Sequence, residues 1–282
     1  MHRRSALIRL LVAMAILFLG VGDRVATGGS NDTVWRRRII IDPGHGGHHK
    51  GGIGRINGRE VYEKDVTIRV GERLEKLLLA DPRFEVRVTR RKDVYLGLRE
   101  RTQIATEQSG DLFVSLHCNA VPSSSRGSQA RGFEIWTWNS SGSVSAAGKA
   151  LAKIENEEPG PTRSPNNILN RMMFDALESH ALESKRVASA VRASMDTHPY
   201  FRANDRGIDS ARFTVLEVYD MPSILIELGF MTHPQEVKML FDPEWQNRYA
   251  QLIYQGIVRY YQTTDSNFPT NPSTGRLLSR AH

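Results

Sequence analysis

Residues 39–47, Ile39-Ile40-Ile41-Asp42-Pro43-Gly44-His45-Gly46-Gly47, read as a buried strand that a proline stops and a glycine-rich turn follows. The turn presents a histidine with little backbone crowding. The arrangement recurs: His117 closes the apolar run Leu112-Phe113-Val114-Ser115-Leu116, and Glu227 sits in Ile224-Leu225-Ile226-Glu227-Leu228. Glu63, in Tyr62-Glu63-Lys64-Asp65, opens a helical pattern. Two histidines and a carboxylate on rigid elements are a ligand set for a catalytic zinc ion, and a second carboxylate can then act as general base.

Outward from that strand, apolar residues at Val66, Val70, Leu74, Leu77 and Leu78 give residues 60–80 helical spacing. Phe84-Glu85-Val86-Arg87-Val88-Thr89 alternates as a strand. A helix is expected over 96–107, a strand over 111–117, and another over 132–138. Residues 140–156 and 171–195 read as helical, with an acidic, proline-broken segment at 155–161 between them. Val215-Leu216-Glu217-Val218 and 223–227 read as the last two strands, and 245–261 as a closing helix. Strands alternating with helices argue for a single α/β domain with a mostly parallel sheet.

The 282 residues, 40% hydrophobic and 24% charged, supply a sizeable core. The net charge of +7 favours anionic partners, such as a polyanionic cell-wall polymer. No zinc-finger spacing or RNA-binding aromatic motif accompanies it, so nucleic acid is not an expected partner. His2-Arg3-Arg4 followed by an apolar run over 10–21 is a signal-peptide pattern, or an N-terminal anchor if uncleaved. Residues 1–28 are assigned to that segment and its linker, 34–262 to the catalytic domain, and 263–282 to a disordered tail. The expected location is periplasmic or extracellular. The lone Cys118 excludes an internal disulfide.

Each site residue also has a plainer reading. His45 can be an idle loop histidine, with His48 and His49 as nearby competitors. Glu63 suits a helix start through the helix dipole alone. Glu227 can belong to a buried salt bridge, since a buried carboxylate needs a partner or a metal. Cys118 should point to the opposite sheet face from His117, which disfavours a Cys–His nucleophilic pair. Trp136 and Trp138 share one strand face and suit either sugar stacking or the core.

The combined pieces resemble the zinc-dependent N-acetylmuramoyl-L-alanine amidases of the amidase 3 family of cell-wall hydrolases. Those pieces are Asp42-Pro43-Gly44-His45-Gly46-Gly47, Glu63-Lys64-Asp65, Leu98-Arg99-Glu100-Arg101-Thr102, residues 111–120, Gly132-Phe133-Glu134, and residues 220–230. The resemblance covers about residues 38–261. It implies a roughly six-stranded sheet flanked by helices in three layers. It implies one zinc ion held by His45, Glu63 and His117, with Glu227 as the catalytic carboxylate. The substrate would be peptidoglycan, cut between N-acetylmuramic acid and the L-alanine of the stem peptide. Some relatives carry a helical insert whose glutamate covers the zinc, which makes 140–195 a candidate regulatory segment and Glu155, Glu157 and Glu158 candidate blockers, relieved by an activator protein. Asn119 and Arg101 are candidate substrate contacts. A monomer is expected. A zinc peptidase cutting within the stem, or a non-catalytic peptidoglycan-binding protein, would use the same residues differently.

Overall fold

The opening apolar run forms β1 (Arg37–Pro43) of the chain, here described from a computed structural model. The structure describes residues 36–121, 129–143, 145–157 and 168–270. The signal segment, its linker, Glu158 and residues 271–282 lie outside these. Among the described residues, no helix is long and apolar enough to cross a membrane.

After β1 come a hairpin, β2 (Ile53–Ile56) and β3 (Arg59–Tyr62), then α1 (Glu63–Leu79), β4 (Phe84–Val88) and α2 (Leu98–Glu107). The chain continues through β5 (Leu112–Asn119), β6 (Phe133–Trp138), α3 (Ala146–Glu155), α4 (Ile168–Met195), α5 (Pro199–Ala203) and β7 (Asp205–Ala211). A 3-10 turn (Thr214–Leu216), β8 (Ser223–Phe230), α6 (Glu236–Phe241) and α7 (Pro243–Thr264) complete it.

Six strands form one sheet in the order β4-β1-β5-β8-β6-β7. All neighbours are parallel except β6 and β8, so β6 and β7 run against the other four. Alternate residues feed two cores. Ile39, Ile41, Val114, Leu116, Ile224 and Ile226 pack with α1, α7 and the end of α4. Ile40, Phe113, Leu225, Trp136 and Trp138 pack with Phe213, Leu151 of α3 and Leu177 of α4. The expected three-layer α/β domain with a six-stranded, mostly parallel sheet is borne out.

Helix α1 shows burial overriding propensity. Val66, Thr67, Ile68 and Val70 are β-branched, which disfavours a helix by up to about 0.7 kcal/mol per residue. Val66, Val70, Leu74 and Leu78 are fully buried on one face, at roughly 1.5–3 kcal/mol each, and the burial wins. At its start the Thr67 hydroxyl donates to Gly44 O (2.9 Å), tying the helix to the β1 turn.

Several boundaries differ from the sequence reading. The β2–β3 hairpin carries an Asn57-Gly58 turn with both residues at positive φ (51° and 79°), the turn that right-twisted hairpins favour. Residues 215–218, expected as a strand, begin as the 3-10 turn, with Val215, Leu216 and Val218 buried against the second core. The sixth strand is instead β7, whose Asp-Arg-Gly-Ile-Asp-Ser-Ala sequence has little apolar alternation. At the far end α7 runs to Thr264, and Phe268 is buried against Tyr261 and Phe84. The start of the expected tail therefore packs on the domain.

Candidate metal centre

Sheet register assembles the site. Parallel pairing of β5 and β8 sets His117 beside Glu227, and antiparallel pairing of β6 and β8 sets Glu134 on the other flank of Glu227. Leu116, Cys118, Ile226 and Leu228 all point into the α1–α7 core. By the two-residue period, His117, Glu227 and Glu134 point to the opposite face, the one α3 covers. Cys118 is buried as a small apolar residue on the face away from His117. Its thiol is pushed well up by burial first, then by the surrounding glutamates.

His45 enters from the turn after β1 with φ at +60°, a left-handed conformation that a non-glycine residue adopts only when its surroundings hold it there. Arg101 supplies much of that hold. It is buried on α2, donates to His45 O (2.6 Å) and Pro43 O (2.8 Å), and pairs with Asp42 (2.8 Å). Arg101, expected as a substrate contact, is engaged with Asp42 and the backbone of the turn. Asn119 is also engaged, donating from Nδ2 to Glu134, whose other oxygen accepts from Arg206 (3.1 Å).

The three expected ligands converge. His45 Nε2 lies 2.9 Å from Glu63 Oε1, and His117 Nδ1 lies 3.2 Å from the same oxygen. Glu63 is buried and anchored by the backbone N–H of Gly52 (2.7 Å, to Oε2) and of Cys118 (2.7 Å, to Oε1). Close approach demands glycine at two places. A Cβ on Gly44 would lie 2.5 Å from His117 Nε2, and one on Gly51 would lie 2.5 Å from Glu63 Oε2.

Glu155, at the end of α3, approaches both histidines and forms a second donor group with His117 and Glu227. Its Oε2 lies 3.1 Å from His117 Nδ1 and 3.7 Å from His45 Nε2. Glu157 lines the mouth of the adjoining cleft, and Glu158 lies outside the described residues. The cleft, of about 330 Å³, is lined by His49, Lys50, Leu151 and Ile154 among others. Trp136 and Trp138 lie in the second core, buried, with Trp136 edge-on to Phe213, so core packing is their role in this conformation.

The donor chemistry fits a zinc ion. His45 Nε2, His117 Nδ1 and both Glu227 oxygens are buried without a hydrogen-bond partner, a costly state for polar groups unless something else satisfies them. Four ligand atoms on a tetrahedral zinc ion stand roughly 3.3–3.5 Å apart. The separations of His45 Nε2 and His117 Nδ1 from Glu63 Oε1, 2.9 and 3.2 Å, lie close to that value, and His117 also belongs to a second donor group with Glu155 and Glu227. Electrostatics agree. Burial alone would raise the Glu63 and Glu155 carboxyls, but the facing histidines outweigh it and hold both below the ordinary range. Burial would lower His117, yet Glu155 and Glu63 carry it well above its usual value. Glu227 lacks such compensation. Burial pushes its carboxyl well up, and Glu155 and Glu63 push it further against the opposing pull of His117.

A family model described as N-acetylmuramoyl-L-alanine amidase matches residues 39–259. The chain belongs to that family. The motif resemblance is borne out. Among amidases, the chain is 31% identical over 227 residues to N-acetylmuramoyl-L-alanine amidase AmiC of Escherichia coli O6:H1, covering 79% of this chain and 52% of that one. It is 27% identical over 235 residues to AmiA of Escherichia coli K12, covering 82% of this chain and 78% of AmiA. The chain therefore spans about half the length of one relative and more than three quarters of the other. The crystal structure of an N-acetylmuramoyl-L-alanine amidase from Clostridium difficile 630 superposes with a TM-score of 0.61 at 29% identity, over 82% of this chain and all of that one.

Two residues of the centre escaped the sequence reading as site residues. Glu134 was legible only as part of a family motif. His49, set down as a competing ligand, directs its Nδ1 to His45 Nδ1 (2.9 Å) instead.

Proposed function

We propose that this chain is an exported, zinc-dependent amidase that cleaves peptidoglycan between N-acetylmuramic acid and the first L-alanine of the stem peptide. The observation that carries the reading is the convergence of His45 Nε2 and His117 Nδ1 on one Glu63 oxygen, with Glu227, whose buried oxygens have no hydrogen-bond partner, on the strand next to His117. His45, Glu63 and His117 would hold one zinc ion. When bound, zinc supplies a Lewis acid toward the scissile carbonyl and acidifies water. Glu227 takes the proton from the attacking water and returns it to the departing alanine nitrogen. Burial raises the proton affinity of its carboxylate, the direction that strengthens a general base.

Digestion of purified peptidoglycan by the zinc-loaded protein, read by mass spectrometry, tests this assignment. Free stem peptides beginning with L-alanine are expected. Fragments cut within the peptide would replace it with the peptidase reading, and intact glycan that binds the protein without products would favour a wall-binding role.

Glu155 makes the centre self-blocked in this reading. Its helix is tied down at both ends: Ser145 Oγ donates to Asp209 (2.9 Å), and Asn156 bridges Arg212 O (2.7 Å) and Thr214 N–H (2.8 Å). An activator protein that draws α3 away would open the site, and Ile154, 43% exposed next to Glu155, offers it an apolar hold. Glu155→Ala removes a charge-assisted contact of about 1.5–3 kcal/mol, so basal turnover should rise roughly 10- to 100-fold. Release of dye from labelled peptidoglycan measures this. Unchanged turnover in a folded Glu155→Ala protein contradicts self-blocking while leaving the amidase assignment standing.

A further inference from the structure

The ring of His45 has two nitrogens, and the metal reading uses only one. Nε2 faces Glu63 Oε1 and His117, so a neutral His45 that keeps its Nε2 lone pair for a metal must carry its proton on Nδ1. The partner of that N–H is His49 Nδ1, at 2.9 Å. His49 must then accept, which leaves its own proton on Nε2. One hydrogen bond thereby fixes the tautomers of both rings.

We propose that His49 is a positioning residue that accepts the Nδ1 proton of His45 and so aims His45 Nε2 at the metal. The inference rests on the reading of His45 as a zinc ligand. Metal-ligating histidines characteristically give their second N–H to an acceptor, which sets ring orientation and raises ligand basicity. That acceptor is commonly a carboxylate, a backbone carbonyl or water; here it is a second imidazole.

The local backbone is built to hold this pair. Gly46 and His49 exchange both backbone hydrogen bonds, N–H to O at 2.9 and 3.1 Å, closing the turn so that the two side chains leave it side by side. The rings stand 4.8 Å apart, tilted by 39°, and Tyr95 meets His49 edge-on at 6.5 Å. His45 needs the support because its φ of +60° is an uncommon conformation for a side-chain-bearing residue. Arg101 fixes its carbonyl, and His49 fixes its ring. His49 is not itself in the donor cluster of His45, Glu63 and His117.

Zinc affinity of the full-length protein, measured by competition with a chromogenic chelator, separates the roles. His49→Phe keeps a ring but loses the acceptor. His49→Asn places an amide oxygen where Nδ1 stands and can accept the same proton. The Phe variant should bind zinc about 10- to 100-fold more weakly, with the Asn variant recovering most of the loss. In wild-type, zinc-loaded protein, nitrogen NMR should show His45 protonated at Nδ1, with a scalar coupling across the hydrogen bond to His49 Nδ1. Wild-type affinity in the Phe variant overturns the inference. So does loss of stoichiometric zinc from both variants, which would make His49 a ligand. Should the Phe variant fail to fold, the NMR coupling decides, and its absence overturns the inference. His45→Ala is the control: wild-type zinc affinity there means the metal reading itself has failed.

Discussion

Replacing Glu227 by glutamine should leave zinc bound and reduce amide hydrolysis by about 10²- to 10⁴-fold, the range general acid–base catalysis contributes. Glutamine has nearly the carboxylate's shape but can neither take a proton from water nor return one to the alanine nitrogen. Both Glu227 oxygens are buried without partners, so the change breaks no hydrogen bond in the folded chain. Stability should move the other way. Burial raises the folded-state carboxyl above its unfolded value, so its contribution is fully present below the unfolded pKa and lost as pH rises through the folded one. At neutral pH the zinc-free Glu227→Gln protein should therefore melt higher than zinc-free wild type. Turnover comparable to wild type in zinc-replete Glu227→Gln would remove Glu227 from the reaction. An unchanged or lower melting temperature would contradict the account of its burial.

Arg101→Ala should cost about 3–5 kcal/mol, the range for removing one partner of a buried ion pair. In a domain of this size that lowers the melting temperature by roughly 10 °C. Arg101 and Asp42 are 3% and 0% exposed at the side chain, so water does not replace the lost partner. In wild type, burial would raise Asp42, but Arg101, Thr89 and Ser115 outweigh it and hold it below its ordinary value. Its stabilising contribution is thus present above the unfolded value and lost as pH falls through the lower folded one. Without Arg101 burial dominates and the sign reverses, so the variant's deficit should shrink on acidification from neutral pH toward about 4. Chemical denaturation at several pH values measures both effects. Arg101→Ala should also loosen His45, because the carbonyl that holds its left-handed backbone loses its donor. A deficit below about 1 kcal/mol, typical of exposed ion pairs, would show the network to be solvated.

The parts of this molecule legible in the sequence are those whose side chains carry the signal. The β-branched runs 39–41 and 223–227 could only be buried strands, and the 3.6-residue spacing of Val66, Val70, Leu74 and Leu78 fixed one face of α1. Each of His45, Glu63 and His117 was legible as a polar residue at the end of such an element, and the family resemblance implied that they act together. Strand β7 was illegible because it lies at the sheet's edge, half-buried, with Asp205, Gly207 and Asp209 breaking the alternation. The Asn57-Gly58 hairpin carried a strong local signal that the glycine-rich context around His45 obscured. Nothing in Leu98-Arg99-Glu100-Arg101-Thr102 reveals that the Arg101 guanidinium turns inward to Asp42, a partner 59 residues away. Glu155 was one of three equivalent glutamates until the end of α3 brought it, and not Glu157, to His117.

The centre itself is tested most directly by diffraction at the zinc absorption edge from crystals of the protein grown with zinc. The expected result is a single strong anomalous peak between His45 Nε2, Glu63 and His117 Nδ1, lost in His117→Ala crystals. A peak elsewhere, or none at that position with zinc in excess, would contradict a zinc-dependent centre built on these three residues.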